Sequence, residues 1–262
     1  MLKKQWKLIA TLCVSLFIVL GLSACGDEDS ATGAEGDSLD DEYTVVSDTS
    51  FVPFEFKEDG EYVGFDIDLI HAVADEAGFE INFETTNFDG IIPGLQTGQF
   101  DIAIAGIGIT EERAEKIDYS DPYYESGLRL AVAEDNDSID GIEDLDGKTI
   151  ATRLGSTSAA YIEENIEGAE ANQYEQLDQA YLAVENGSVD AILYDAPNVA
   201  YYIQTEGEGK LKMVGELYQA EDYGIAISKG NDELVDAINE ALETLKENGE
   251  YDEIHAEWFG EE

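Results

Sequence analysis

From Glu42 onward, short runs rich in β-branched and aromatic residues alternate with stretches whose apolar residues recur at helical spacing. The predicted strands are "YTVVSD" (43–48), "INFETT" (81–86), "FDIAIAGIGI" (100–109), "KTIATRLG" (148–155) and "VDAILYD" (189–195). The predicted helices are "FDIDLIHAVADEAG" (65–78), "GIIPGLQTG" (90–98), "TSAAYIEENI" (157–166), "AYLAVENG" (180–187), "APNVAYYIQTE" (196–206) and two in 232–260 separated by a glycine. This alternation predicts an α/β fold with mainly parallel sheets, in two units of about 100 residues each.

The N-terminus has the pattern of an export signal. Three lysines within the first seven residues precede the apolar run "LIATLCVSLFIVLGL", which is followed by "LSAC" at 22–25. Small residues before a cysteine resemble the bacterial lipobox, which predicts that 1–25 is a lipoprotein signal peptide and that Cys25 carries lipid, including palmitate. The protein is then expected on the extracytoplasmic face of the cell membrane. An ordinary signal peptide with an incidental cysteine is the alternative.

Residues 26–42, "GDEDSATGAEGDSLDDE", contain no aromatic residue and one large aliphatic residue, Leu39. Such a segment buries too little apolar surface to fold, and it is predicted to be a disordered acidic tether.

The charge of the chain is strongly negative, with 60 acidic residues against 13 Lys and Arg. An acidic surface repels nucleic acid, whose binding requires basic side chains, so DNA and RNA are excluded as partners. With 44% hydrophobic residues the chain still has enough apolar side chains for a full core. The excess of carboxylates favours the hypothesis of a halophilic or alkaliphilic source.

The candidate chemistry lies in a few turns. In "AGIGITEER" (105–113), Gly106 and Gly108 let a ligand approach the backbone, and Arg113 follows on the first turn of a helix. A planar guanidinium at that place is suited to a carboxylate. Asp195 ends an apolar strand directly before a helix, where α/β sheets present ligand contacts, and can accept an ammonium group. Together the two residues fit both ends of a zwitterion.

Each of these residues also has a purely structural interpretation. Arg113 can pair with a surface acid such as Asp118, and Asp195 can cap the helix that follows it. Neither His71 nor His255 has Cys or His partners nearby in sequence, and no catalytic or nucleotide-binding motif is present. The sequence therefore predicts no metal, no cofactor and no enzymatic activity.

Several segments carry a family resemblance that runs from about residue 43 to 260 in the correct order and spacing. They are "SDTSFVPFEFKEDGEYVGFDIDLIHAVADEAG", "NFDGIIPGLQTGQFDIAIAGIGITEERAEKIDYSDPYYESG", "DLDGKTIATRLGSTSAAY", "VDAILYDAPNVAYYI" and "ALETLKENGEYDEIHAEWFG". The chain resembles the polar-amino-acid-binding receptors of ABC importers, solute-binding family 3, and is most like their glutamine-binding members.

This resemblance implies a type II periplasmic-binding-protein-like fold, with two α/β lobes joined by two hinge strands and a ligand cleft between them. Lobe 1 would comprise 43–122 and 224–262, lobe 2 would comprise 128–218, and the hinges would be 123–127 and 219–223. The implied protein is a monomer that closes on an amino acid and delivers it to the permease and ATPase subunits of the importer.

The resemblance also implies roles for individual residues. Arg113 takes the α-carboxylate, supported by backbone N–H groups around Gly106, Gly108 and Thr157, and Asp195 takes the α-ammonium. The side-chain pocket would be lined by Asp48, Phe51, Phe88 and Arg153. An acid and a cation together suit a carboxamide, which presents both a donor and an acceptor, and glutamine is therefore the predicted ligand.

Three positions depart from the family pattern. Gly108 stands where Ser or Thr is usual, Thr157 replaces a glycine, and Tyr194 replaces a histidine of the glutamine-binding members. Glutamate, arginine and histidine therefore stay open as ligands. For Arg153 a surface ion pair, and for Phe51 and Phe88 a place in the core, are the structural alternatives. A membrane sensor's binding component and a dehydratase of the same fold are the alternative functions.

Overall fold

A computed structural model describes residues 39–260 of the chain. Its strands are β1 (Glu42–Ser47), β2 (Ser50–Phe51), β3 (Glu55–Glu58), β4 (Glu61–Val63), β5 (Glu80–Thr85), β6 (Ile102–Ala103), β7 (Asp118–Tyr119), β8 (Tyr124–Ala133), β9 (Thr149–Arg153), β10 (Glu170–Tyr174), β11 (Ala191–Asp195), β12 (Leu211–Tyr223) and β13 (Ala226–Ile227). Its helices are α1 (Phe65–Ala77), α2 (Phe88–Gln96), α3 (Glu111–Ala114), α4 (Thr157–Asn165), α5 (Leu177–Glu185), α6 (Ala196–Thr205), α7 (Asp232–Asn248) and α8 (Glu250–Phe259), with a short 3-10 helix at Ile142–Asp144.

Two five-stranded sheets organise the chain. The first has the order β5-β1-β6-β13-β7 and the second the order β10-β9-β11-β8-β12. We call the part of the chain around the first sheet lobe 1 and the part around the second sheet lobe 2. A small antiparallel sheet, β2-β3-β4, lies between β1 and α1 in sequence.

Both large sheets are mixed, which differs from the mainly parallel sheets that the strand pattern predicted. The strands β1 and β9 pair in parallel with both of their neighbours. The strands β8 and β13 pair antiparallel with both of theirs. Antiparallel pairing of this kind depends on tertiary contacts, which hydrophobic spacing does not report.

The segments predicted to be hinges lie side by side. In the antiparallel pairing of β8 with β12, Ala220 faces Gly127 and Tyr223 faces Tyr124. A bridge between Gly108 and Tyr223 attaches the end of this ribbon to lobe 1. The ribbon therefore connects the two sheets at the place where the cleft between the lobes begins.

Local sequence explains where several helices begin and end. Gly78 ends α1 in the left-handed conformation, with φ of 85°. Thr110 caps α3 by accepting from the Arg113 N–H at 3.2 Å, and Ser156 caps α4 in the same way through the Ala159 N–H. Since the caps of α3 and α4 face the cleft, the same turns that begin the helices also place the candidate ligand contacts.

Some predictions fall at the edge of the described residues or beyond them. Cys25, the predicted signal peptide (1–25) and residues 26–38 of the predicted tether lie outside residues 39–260. Leu39, which the prediction placed in the tether, is partly buried against the core of lobe 1, and β1 already begins at Glu42. No helix in the described part of the chain is long and apolar enough to cross a membrane.

Candidate functional site

The candidate residues lie at the carboxyl ends of strands that pair in parallel. Asp48 follows β1, Gly106 and Gly108 follow β6, Thr157 follows β9, and Asp195 is the last residue of β11. Carboxyl ends of parallel strands meet at one edge of a sheet, and this edge is where α/β proteins bind ligands. The two sheets turn these edges toward each other, since Arg153 of lobe 2 contacts Asp48 of lobe 1.

Arg113 extends from α3 of lobe 1 across the cleft. Its Nη1 donates to the Gly108 carbonyl at 2.9 Å, and its Nη2 donates to the Gly155 carbonyl of lobe 2 at 3.0 Å. Asp118, the surface partner that the structural interpretation offered, pairs with Lys229 instead at 3.0 Å. Arg113 forms no ion pair with any described residue, so its positive charge is available to a ligand carboxylate.

Asp195 is buried at the end of β11, with 5% of its surface exposed. Its Oδ2 accepts from the Tyr223 hydroxyl, while its Oδ1 has no hydrogen-bond partner among residues 39–260. The side chain makes no capping hydrogen bond to α6, although Asp195 occupies the N-cap position. Burial, with the nearby Glu221 charge, raises the pKa of Asp195 to about 8.

Asp48 and Arg153 form an ion pair between the lobes. The Asp48 Oδ2 lies 2.5 Å from the Arg153 Nη1, and both side chains are 1% exposed. Asp48 Oδ1 also accepts the backbone N–H of Thr49 and of Ser50. Burial lowers the pKa of Arg153, but Asp48 and Tyr194 together outweigh burial and raise this pKa above its usual value. Arg153 therefore lies inside the cleft, and its interpretation as a surface ion pair is wrong.

Aromatic rings enclose the two arginines. The Phe88 ring lies 5.6 Å from the Arg113 guanidinium carbon and 5.3 Å from that of Arg153, both within cation–π range. Phe51 packs edge-on against Tyr194 with ring centroids 5.8 Å apart. Tyr194 also interacts electrostatically with Arg153 from inside lobe 2.

Gly106 connects the cleft to a buried group of acids below it. Its φ is 53°, and its N–H donates to the Asp66 Oδ2 at 2.8 Å. Asp66 also accepts from the Tyr123 hydroxyl at 2.9 Å, and its charge acts on the nearby carboxyl of Glu55. Burial raises the pKa of Asp66 to about 7, although the bond from Gly106 opposes this. Burial, with the charges of Asp66 and Asp48, raises the pKa of Glu55 well above its usual range.

The carboxylate of Glu221 also lies in the cleft. Its Oε2 accepts from the Thr157 hydroxyl at 2.7 Å, and its Oε1 lies 1.4 Å from the position that a Cβ on Gly108 would occupy. Burial raises the pKa of Glu221, while the Thr157 bond and the Arg113 charge lower it. Glu221 belongs to the segment predicted as a hinge and is not among the predicted ligand-binding residues.

An open cavity of about 570 Å³ forms the mouth of the cleft, and Phe88, Arg113 and Thr157 line it. Asp48, Arg153 and Asp195 lie deeper and are nearly inaccessible. The described residues contain no group of three His, Cys, Asp or Glu side chains that can hold a metal ion.

Comparison with known proteins decides the family. Residues 43–261 match the bacterial extracellular solute-binding proteins, family 3. The chain belongs to this family. The predicted family membership and the predicted two-lobed α/β fold are thereby confirmed.

Individual members of the family bind different amino acids. A glutamine-binding protein of an ABC transporter from Bacillus subtilis is 33% identical, and the alignment covers 98% of this chain and 98% of that protein. An arginine-binding periplasmic protein from Mannheimia haemolytica is 36% identical, with 82% of this chain and 90% of that protein covered.

A solved structure of an ancestral arginine-binding protein bound to glutamine is 42% identical. Its superposition has a TM-score of 0.81 and covers 86% of this chain and 100% of the ancestral protein's chain. Overall similarity within the family therefore does not select the ligand of this chain, and the contacts of its own cleft must do so.

The cleft brings all nine predicted ligand-binding residues of this family member to one region. Phe51 and Arg153 are among the least exposed of them, each at 1%, and Phe51 packs on Gly106. Glu221 and Tyr223 are the additional polar groups. Their signal in the sequence is weak: acidic and aromatic residues that alternate along one strand are common in a chain with 60 acidic residues.

Proposed function

We propose that this protein is the amino-acid receptor of an ABC-type importer and that its ligand is L-glutamine. The observation that carries the proposal is a set of buried polar atoms at both ends of the cleft that lack hydrogen-bond partners within the described residues. Asp195 Oδ1 is one of them and Arg153 Nε is another. Because an unpaired buried polar group costs free energy, these atoms favour a ligand with matching groups.

The α-carbon end of the ligand is recognised by charge. Arg113 has no carboxylate partner among residues 39–260 and binds the α-carboxylate with its guanidinium. Asp195 approaches from lobe 2 and accepts the α-ammonium. The two charges come from opposite lobes, so a bound amino acid stabilises the closed arrangement, and closure is what the importer recognises.

The side-chain end favours a carboxamide. The Asp48 carboxylate accepts the amide N–H, and Arg153 donates to the amide oxygen, while the rings of Phe51 and Phe88 flank the methylene groups. A cationic side chain, as in arginine, would meet the Arg153 charge. An anionic side chain, as in glutamate, would meet Asp48. The pair therefore selects against both, and histidine lacks the oxygen that Arg153 requires.

The proposed setting is the extracytoplasmic face of the cell membrane, with a lipid on Cys25 and 26–38 as the start of a tether. The lipobox-like "LSAC" at 22–25 supports this proposal. Labelling cells with a fatty-acid analogue tests it, since wild-type protein would take up the label and Cys25→Ser protein would not. The acidic composition supports a saline or alkaline habitat, and unfolding measured from low to molar salt tests that part.

The function is tested by calorimetric titration of the purified protein with each of the twenty amino acids. We expect L-glutamine to bind most tightly, with L-glutamate and L-arginine weaker. Tightest binding of a cationic amino acid would overturn the ligand assignment. The absence of binding to any of the twenty would overturn the receptor proposal, and conversion of prephenate, followed by absorbance, would replace it by the dehydratase alternative.

A further inference from the structure

The position of Glu221 in the cleft depends on the glycine at 108. Gly108 does not adopt a positive φ, so its backbone conformation does not require glycine. A Cβ there would lie 1.4 Å from Glu221 Oε1 and 2.4 Å from Cδ of the same carboxylate. The requirement for glycine at 108 is therefore steric, because any other side chain would displace the Glu221 carboxylate from the cleft.

Strand β12 directs Glu221 and Tyr223 to the same side, since alternate residues of a strand share a face. Both are buried, whereas Asp222 between them is exposed. Tyr223 donates its hydroxyl to Asp195, and Glu221 accepts from Thr157. The two acids Asp195 and Glu221 are thus held at one end of the cleft by neighbouring positions of a single strand.

The charges around these two acids do not balance. Arg153 is already paired with Asp48, which leaves Arg113 as the one nearby cation of the described cleft without an ion pair. The groups that face Asp195 and Glu221 electrostatically are Arg113, Arg153, Tyr119, Tyr181, Tyr194 and Tyr223. Two buried carboxylates therefore face a single free cation, and an ammonium group placed between them would offset part of this excess negative charge.

We propose that Glu221 is a second acidic contact for the α-ammonium of the ligand, admitted to the cleft by Gly108 and acting together with Asp195. This inference rests on the proposed function, because it assumes that an amino acid binds with its ammonium at Asp195. An ammonium group has three N–H donors, and Asp195 Oδ1 and the Glu221 carboxylate supply acceptors for it from two directions.

The arrangement couples ligand binding to proton release. In the free protein, burial raises the pKa of Asp195 to about 8 and also raises the pKa of Glu221, so near neutral pH the pair holds a proton. The ligand's α-carboxylate neutralises Arg113, while its ammonium lies in direct contact with the two acids and stabilises their ionised forms. The proton then leaves to solvent as the ammonium binds, and no other bond is made or broken.

Calorimetric titration of L-glutamine at pH 7, in phosphate and in Tris, measures both the Kd and the number of protons released. For wild-type protein we expect release of between about one half and one proton. For Glu221→Gln we expect a Kd about 10 to 100 times higher and reduced proton release, because a charged contact is lost and only burial then keeps the pKa of Asp195 raised. Asp222→Asn is the matched control, with the same loss of charge on the exposed face of β12, and should behave as wild type.

Gly108→Ala is the second variant, because it keeps the Glu221 charge and only displaces the carboxylate from its position beside residue 108. We expect it to raise the Kd by a factor similar to that of Glu221→Gln, and the double variant to bind about as weakly as either single variant. Circular dichroism and thermal unfolding establish that each variant is folded, and if one is not, the other carries the test.

Two results would overturn the inference while leaving the receptor function intact. A Glu221→Gln protein that binds glutamine as tightly as wild type, or more tightly, would show that the carboxylate is a bystander or a competitor of the ligand. Proton release unchanged by the substitution would do the same. If wild-type protein binds no amino acid at all, the proposed function on which the inference rests is itself overturned.

Discussion

Asp48 and Arg153 meet across the cleft with 2.5 Å between Oδ2 and Nη1, and both side chains are 1% exposed. One residue follows β1 of lobe 1 and the other ends β9 of lobe 2. A buried pair of this kind is a weak source of stability, because desolvation of the two charges offsets their attraction. Its value is selectivity, since the pair presents one acceptor and one donor side by side.

Asp48→Asn should change which amino acid binds. The substitution removes the negative charge and leaves Arg153 as an unpaired cation, which favours an anionic side chain. We expect the ratio of the Kd for L-glutamine to the Kd for L-glutamate to rise by at least about tenfold, which corresponds to about 1.4 kcal/mol. Calorimetry with both ligands measures the ratio. Asp75→Asn, an exposed residue of α1 outside the cavity, is the control, and an equal ratio in wild type and Asp48→Asn would remove Asp48 from the pocket.

Arg113→Lys should be nearly as damaging as Arg113→Ala. The lysine keeps the charge but loses the planar fork that contacts Gly108 and Gly155 while facing a ligand carboxylate. We expect each variant to raise the Kd for the bound amino acid by at least about 100-fold with little change in thermal unfolding. Lys210→Ala, an exposed residue of lobe 2 that does not line this cavity, is the control. Near-normal affinity of Arg113→Ala would contradict its role as the carboxylate contact.

The ends of the strands could be predicted from the sequence, whereas the directions of the strands could not. Strand ends such as that of β11 are marked by apolar runs that stop at a polar residue, and this signal placed Asp195 correctly beside the cleft. The same signal contains nothing about strand direction, so the antiparallel pairing of β8 and β12 was not foreseen. The strand predicted at 100–109 is reduced to the two-residue β6, because the glycines at 106 and 108 turn the chain toward the ligand site.

Tyr223→Phe should shift the pH dependence of binding. The Tyr223 hydroxyl donates to Asp195 and thereby lowers its pKa, so its removal raises that pKa further above 8. Because the ammonium binds to the ionised carboxylate, affinity in the variant should need a higher pH. We expect a Kd about 3 to 10 times that of wild type at pH 7 and convergence of the two curves toward pH 9. Parallel curves from pH 6.5 to 9 would refute this role of the hydroxyl.

Glu55→Gln should flatten the dependence of stability on pH. The pKa of Glu55 is raised well above its usual range, and that of Asp66 is raised to about 7, so the native state keeps protons that the unfolded chain releases from about pH 4 upward. Since the folded state binds more protons, stability must fall as pH rises through this window.

The expected difference is measurable by urea unfolding at pH 5 and pH 8. We expect the wild-type free energy of unfolding to fall by about 1 to 3 kcal/mol more than that of Glu55→Gln over this interval. Glu58→Gln, exposed on the same strand β3, is the control for the general effect of removing one acid. Identical slopes for wild type and Glu55→Gln would show that the buried pair does not retain a proton.

What the sequence could not supply is the set of contacts made by distant residues. Gly108 and Glu221 are 113 positions apart in the sequence, and they meet because β12 returns to lobe 1. The absence of a hydroxyl at 108 was visible from the resemblance and counted only as a lost contact. In the structure, the Glu221 carboxylate occupies the space that a side chain at 108 would fill.

Gly106→Ala separates the steric role of that glycine from its backbone conformation. An added Cβ would lie 2.3 Å from Cε1 of Phe51, a buried ring that cannot move without disturbing the stack with Phe54. Gly98→Ala is a close control, because Gly98 also has a positive φ, 69°, but nothing lies within 4 Å of its Cβ position.

We expect Gly98→Ala to lower the free energy of unfolding by about 1 kcal/mol through backbone strain alone. Gly106→Ala should lower it by about 1 to 3 kcal/mol more, because overpacking against Phe51 is added to the strain. Urea unfolding measures both. Ligand affinity should fall only in Gly106→Ala, since Phe51 is the ring that this glycine holds in the pocket wall. Equal costs for the two variants would mean that the Phe51 ring yields freely, and Phe51 would then be too mobile to shape the ligand side-chain pocket.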